Sequence, residues 1–272
     1  MAKKKKDMRI GVFDSGFGGL DVLRSIVSAL PHYTYVYLGD TARAPYGDRP
    51  QETIYAYTKQ AVDFLFAQNC GIVIMACNTA SSEALRTIQQ EYGAKKKVLG
   101  VLIPAAEEAV KKTGNRRVGV IATASTVASE KFVRELAKLD PSVKVFQKAC
   151  PLLVPLVEAG EQNSPETEIV LKRYLNPLLR KNIDTLILGC THYGILEKKI
   201  RKIIGPDIAI VSEARVVPKK LKKYFEKHTE IKEVLIKKAN IHFYSTDRTD
   251  NFKILGSKLF GRLIRVEKAI LQ

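Results

Sequence analysis

Short apolar runs of strand length, each followed by a segment with apolar positions at helical spacing, set the plan of this chain. The strand-length runs are Arg9–Phe13, Tyr35–Leu38, Ile72–Ala76, Val98–Leu102, Val118–Ile121, Val143–Phe146 and Leu186–Leu188. Helix-period segments lie at Leu20–Ala29, Thr53–Gln68, Ser82–Tyr92, Val127–Leu139 and Glu166–Leu179, with two more, Leu221–Lys227 and Phe252–Phe260, near the C-terminus. Strands that are apolar on both faces and alternate with helices predict an α/β fold, its mostly parallel sheets flanked by helices.

The pattern is also doubled. Arg9-Ile-Gly-Val-Phe-Asp-Ser is echoed 108 positions later by Arg117-Val-Gly-Val-Ile-Ala-Thr. Ile72-Val-Ile-Met-Ala-Cys77-Asn-Thr is echoed by Thr185-Leu-Ile-Leu-Gly-Cys190-Thr-His, which places the two cysteines 113 positions apart. Similar offsets predict a duplicated unit. Two similar lobes are therefore expected: 1–97 with a returning C-terminal tail, 207–272, and a second lobe over 98–206. Chemistry in this architecture sits where strand carboxyl ends meet helix starts. If the halves pair about a rough two-fold axis, Cys77 and Cys190 face one cleft from opposite sides.

Composition narrows the class. Hydrophobic residues make up 46% of the 272 positions, and no run approaches the ~18 apolar residues of a membrane span. Only Met8–Phe13 follows the lysine-rich opening, too short a core for a secretory signal, so a soluble cytoplasmic protein with no membrane partner is expected. The cysteines at 70, 77, 150 and 190 form no C-x-x-C pair, and the four histidines have no ligand spacing. No structural zinc is expected, and a reducing compartment leaves the thiols free. The formal charge of +17 raises nucleic acid, acidic lipid or an anionic substrate as partners. Yet the lysines come in short runs, Lys3–Lys6, Lys95–Lys97, Lys219, Lys220, Lys222 and Lys223, and Lys237–Lys238, which read as solvated surface. With no aromatic-rich binding motif, a nucleic-acid-associated binding protein is the rival class that this charge pattern disfavours.

Two cysteines carry the candidate chemistry. Cys77 ends an apolar strand and is followed by good helix-capping residues, where amides and the helix dipole lower a thiol from its usual pKa near 8.5. The same expectation applies to Cys190, with His192 as a proton partner. Cys70 and Cys150 read as small core hydrophobes. Two thiols on opposite faces of a carbon acid suit inversion: one removes a proton from a stereocentre, the other returns one to the opposite face. The glycine-rich turn Phe13-Asp-Ser-Gly-Phe-Gly-Gly opens a helix and offers backbone amides to an anion, but it matches neither dinucleotide nor triphosphate patterns. Asp14 there is a helix cap or an orienting group, and beside Cys77 it would raise the thiol pKa. Ala44-Pro-Tyr-Gly47 and Thr123-x-x-Thr126 read as turns or caps at strand ends, where neutral donors can grip carboxylates.

Taken in order, Phe13-Asp-Ser-Gly-Phe-Gly-Gly-Leu20, Pro45-Tyr-Gly47, Cys77-Asn-Thr-Ala80, Thr123-x-x-Thr126 and Gly189-Cys-Thr-His-Tyr193 resemble the cofactor-independent glutamate racemases over nearly the whole chain. The tail Ile241–Asp247 with Phe252 and Leu255-Gly256 also looks like that family. The resemblance implies interconversion of L- and D-glutamate without pyridoxal phosphate or metal, supplying D-glutamate for peptidoglycan, in a cleft between two lobes. It implies that Cys77 and Cys190 are the acid/base pair, assisted by Asp14 and His192, with Glu158 a further acidic position. It assigns the substrate cradle to Ser15, Pro45, Tyr46, Gly47, Asn78, Thr79, Thr123, Thr126 and Thr191. Homodimers are common in the family, and an aspartate or related amino-acid racemase is the enzymatic alternative. Two departures stand out: Gly194 where proline is usual, and Ser212-Glu213 where Asp-Ser is expected. No role is transferred to the latter. Only a lysine-rich heptad precedes the first strand, so activation by a cell-wall precursor is not expected.

Overall fold

The computed structural model describes residues 7–247 and 250–272; the Lys3–Lys6 run lies outside them. Among the described residues ten strands form two parallel sheets: β1 Arg9–Asp14, β2 Tyr35–Gly39, β3 Cys70–Met75, β4 Lys97–Gly100, β5 Arg117–Ala122, β6 Lys144–Ala149, β7 Thr185–Gly189, β8 Ala209–Val211, β9 Ile241–Ser245 and β10 Val266–Lys268. One sheet has the order β10-β9-β2-β1-β3-β4, the other β6-β5-β7-β8. The duplication is visible in this order. β1 lies between β2 and β3 with β4 beyond, and β5 lies between β6 and β7 with β8 beyond. Cys77 follows β3 and Cys190 follows β7, the equivalent strands.

The central strands are buried throughout because helices cover both faces. Helix Gly19–Ala29 buries Leu20, Val22, Leu23 and Ile26 against the first sheet. Helix Pro165–Leu179 starts where Ser164 Oγ accepts a hydrogen bond from Thr167 N, with proline in its first turn. Such a cap contributes about 1 kcal/mol. Helix Glu213–Lys227 leaves the second sheet after β8 and packs Val217, Leu221 and Phe225 into the first core. Its Lys219, Lys222 and Lys223 stay exposed, so these lysines are a solvated helix face.

Several expected boundaries shift. β4 pairs with β3, and β8 with β7, so the sheets change over some residues later than the expected 97/98 and 206/207. The strand expected over Val98–Leu102 stops at Gly100, and Leu102–Lys112 is a helix that buries Leu102, Ala105, Ala106 and Ala109. The helix expected over Ser82–Tyr92 is two, Asn78–Glu83 and Leu85–Tyr92. That expected over Val127–Leu139 breaks at Glu130, whose φ of 51° is left-handed. β8, β9 and β10 carry no strand signal of their own. Two have only three residues, and β9 alternates incompletely.

Candidate functional site

The carboxyl ends of β3 and β7 open into one cavity between the two sheets, and Cys77 and Cys190 both line it. Twelve sequence-predicted residues meet there: Ser15, Pro45, Tyr46, Gly47, Cys77, Asn78, Thr79, Thr123, Glu158, Cys190, Thr191 and His192. Asp14 and Thr126, both fully buried, stand behind this wall. Asp14 accepts hydrogen bonds from Gly16 N at 3.0 Å and from Thr191 Oγ1 at 3.2 Å. It thus caps the glycine-rich turn and ties it to the turn bearing Cys190. Thr126 Oγ1 accepts from Thr123 Oγ1 at 3.0 Å, and Thr123 Oγ1 lies 2.9 Å from Thr79 Oγ1 across the lobes.

Each thiol has a polar neighbour. Ser15 Oγ lies 3.3 Å from Cys77 Sγ, and Ala80 N donates to the same sulfur at 3.5 Å. Cys190 Sγ lies 3.8 Å from His192 Nδ1, whose other ring nitrogen is 3.0 Å from Glu158 Oε1. Sequence reasoning expects lowered thiol pKa values, and the structure reverses that sign. Burial pushes the Cys77 thiol up to about 11, the nearby Asp14 carboxylate adds to the rise, and the hydrogen bonds of Ser15 and Ala80 only moderate it. Cys190 is pushed well above its ordinary range by burial, although the His192 amide opposes this. Cys190 also precedes only a four-residue 3-10 turn, Thr191–Gly194, so no long helix dipole acts on it. Desolvation of a charge inside a closed cleft outweighs one or two weak donors. Cys70 and Cys150 are buried in hydrophobic clusters.

The turn over Ala44–Gly47 is held from below by a residue that sequence reasoning misses. Fully buried Asp40 accepts from Arg43 Nε at 2.7 Å, from Thr246 Oγ1 at 2.8 Å and from the Tyr46 hydroxyl. The Tyr46 side chain therefore points into the core, against Phe13 and Tyr57, and leaves the backbone of Tyr46-Gly47 as its polar offering to the cavity. Gly47 O accepts from Ser125 N of the other lobe at 3.0 Å. A Cβ at Gly47 would lie 2.9 Å from Thr123 Cβ, so glycine permits this approach. Ala44, Asp48, Ala124, Pro151, Val154 and Pro155 complete the lining. Ala44 and Asp48 flank the Pro45-Tyr46-Gly47 motif; the folded path of the chain brings in the other four.

A second buried acid lies at the departure to which the sequence assigns no role. Glu213, 2% exposed, accepts from Asn78 Nδ2 at 2.7 Å. Burial pushes its carboxyl up to about 7, although the Asn78 hydrogen bond pulls the other way. A carboxyl raised from 4.5 stabilises nothing by ionising. Its penalty is absent below the unfolded pKa, grows between the two values, and is complete above about 7 at roughly 3 kcal/mol. Glu213→Gln is therefore expected to raise Tm at pH 8 by about 5–10 °C relative to the unsubstituted protein, and by little at pH 4.5. Calorimetric scans of both proteins at the two pH values check this; an equal shift at both would contradict it.

Among the described residues, no three His, Cys, Asp or Glu side chains converge as a metal-binding group, and no helix is long and apolar enough to cross a membrane.

Comparison with known proteins agrees with this architecture. The family model described as Asp/Glu/hydantoin racemase matches residues 10–216. The glutamate racemase of Chlorobaculum tepidum is 44% identical over 218 residues, 80% of each chain. The crystal structure of a glutamate racemase isoform from Bacillus anthracis superposes with a TM-score of 0.91 at 35% identity, over 98% of both chains. That of the Francisella tularensis glutamate racemase, in complex with D-glutamate, gives 0.89 at 32% identity over 97% of this chain and 98% of the other.

Proposed function

The chain belongs to the Asp/Glu/hydantoin racemase family and is an amino-acid racemase; from that premise we propose that it interconverts L- and D-glutamate by proton transfer between Cys77 and Cys190. One observation carries the proposal: two thiols at the ends of equivalent strands line the same cavity. Glutamate as substrate rests on the likeness to relatives that carry that name, one solved with D-glutamate.

In this mechanism one cysteine thiolate takes the α proton, and the electron pair of the broken C–H bond stays on the α carbon, delocalised into the carboxylate. The opposite thiol then gives its proton to the other face. The stereocentre is inverted and the two sulfurs exchange protonation states. The raised thiol pKa bears on this scheme directly. A thiol at about 11 is ionised to about one part in a thousand at pH 8. An ammonium about 4 Å away returns on the order of 4 kcal/mol at an effective dielectric near 20, enough to offset that thousandfold deficit of thiolate. The amino-acid substrate thus brings the charge that makes its own base. His192, paired with Glu158, is the proton partner of Cys190, and Asp14 orders the two turns that flank the thiols. Ser15, Asn78, Thr79, Thr123 and Thr191, with the Pro45-Tyr46-Gly47 backbone, form the cradle for the two carboxylates and the ammonium. We place the reaction in the cytoplasm, in the supply of D-glutamate for peptidoglycan, on the same family likeness.

The direct test incubates the protein with L-glutamate or D-glutamate in deuterated buffer, with a chelator and no pyridoxal phosphate. Circular dichroism is expected to converge to zero from both enantiomers while the α-proton NMR signal disappears. Folded protein that leaves both signals unchanged, or that racemises aspartate instead, would overturn the substrate assignment.

A further inference from the structure

Asn78 follows Cys77, opens helix Asn78–Glu83 and lines the cavity. It is 2% exposed, and its two amide ends differ sharply in their surroundings. Nδ2 donates to Glu213 Oε1 at 2.7 Å, whereas Oδ1 is buried with no hydrogen-bond partner among the described residues. Buried amide oxygens are rarely left without a donor, because desolvation without a replacement bond costs about 1–3 kcal/mol. The unmatched oxygen of a cavity-lining residue therefore points to a donor that arrives with the ligand.

Glu213 explains why the amide stands this way round. At pH 8, above the value of about 7 to which burial raises Glu213, the carboxylate accepts hydrogen bonds and cannot donate them, so it selects the NH2 end of Asn78 and leaves the carbonyl end on the other side. Its position is fixed from outside the cavity. Glu213 is the first residue of helix Glu213–Lys227, directly after Ser212 and the end of β8. The contact spans 135 positions of sequence and links the edge of the second sheet to the turn that carries Cys77.

We infer that Glu213 is a positioning residue of the racemase site, one that holds the Asn78 amide by its NH2 group so that the Asn78 carbonyl oxygen receives the ammonium group of the amino-acid substrate. This rests on the proposed glutamate reaction. It adds a role for a position where the resemblance offered none, and it assigns Asn78 Oδ1 to the cationic group. Glu213 does not itself line the cavity; it acts through Asn78, which does.

The test is steady-state racemisation of both enantiomers by the unsubstituted protein and by Glu213→Leu and Glu213→Gln. Leucine has similar bulk and no acceptor. Without the carboxylate the amide loses its orientation, and KM is expected to rise about 10- to 100-fold, the worth of one hydrogen bond to a charged group, with kcat changed less than about threefold. Glutamine keeps an acceptor oxygen within reach of Asn78 Nδ2, and its KM is expected to stay within about threefold of the unsubstituted value. Unchanged KM in a folded Leu variant, a fall in kcat alone, or a Gln variant as impaired as Leu would each overturn the inference. Should the Leu variant fail to fold, Glu213→Asp supplies the test: it keeps the charge but is one methylene too short, and KM must still rise. If the unsubstituted protein fails to turn over glutamate, the reaction assignment falls first and takes this inference with it. Turnover by that protein, with an unaffected Leu variant, removes the role of Glu213 alone.

Discussion

Cys77→Ser and Cys190→Ser are each expected to lower glutamate racemisation by at least about 10³-fold, toward the upper end of what one acid/base group contributes. The change is nearly isosteric at two buried positions, so far-UV dichroism and Tm should stay close to those of the unsubstituted protein. A hydroxyl is a far weaker acid than even these raised thiols, so serine cannot take the place of either one. The variants should nonetheless differ from each other in deuterated buffer. Each keeps one thiol on one face, which can remove and return hydrogen there without inversion. Deuterium exchange at the α carbon is then confined to one enantiomer in Cys77→Ser and to the other in Cys190→Ser. Wild-type racemisation in either variant, or exchange of both enantiomers at equal rates, would eliminate the two-thiol mechanism.

The second large effect is expected at a residue with no chemistry. A Cβ on Gly18 would lie 2.4 Å from Thr191 Oγ1 and 2.7 Å from the backbone nitrogen of His192. The backbone of Gly18, at φ −58° and ψ −33°, is one that alanine adopts freely, so the collision is the whole of the effect. Thr191 and His192 immediately follow Cys190 and belong to the same short turn. To admit a methyl group that turn has to retreat, which breaks the Thr191–Asp14 hydrogen bond and displaces Cys190. A misplacement near 1 Å lowers rates by about 10²-fold, so kcat/KM of Gly18→Ala is expected to fall by about that factor in a folded protein. Activity within threefold of normal would show that the packing of this turn against Gly18 does not set the position of Cys190.

The sequence alone carried the parallel α/β class, the doubled unit and the place of Cys77 and Cys190 at matching strand ends, because each is written in the pattern of apolar runs and the residues that follow them. An apolar run that is buried on both faces reads as a central strand wherever it lands. A cysteine between such a run and a set of capping residues has its place fixed within a few positions of chain. β8, β9 and β10 were not legible for the converse reason: three-residue or half-exposed strands have too little periodic signal, and they form because a neighbouring strand is already in place. The same holds at the site. The direction of the thiol pKa shift is the balance between helix-start donors, which sequence shows, and desolvation, which depends on how completely the lobes enclose each sulfur. Tyr46 turns into the core because Asp40 is beneath it, and Glu213 reaches Asn78 from 135 positions away. Sequence thus determined which groups could do the chemistry. Tertiary structure decided their protonation and orientation, since burial and long-range hydrogen bonds are properties of the assembled cleft and of no segment within it.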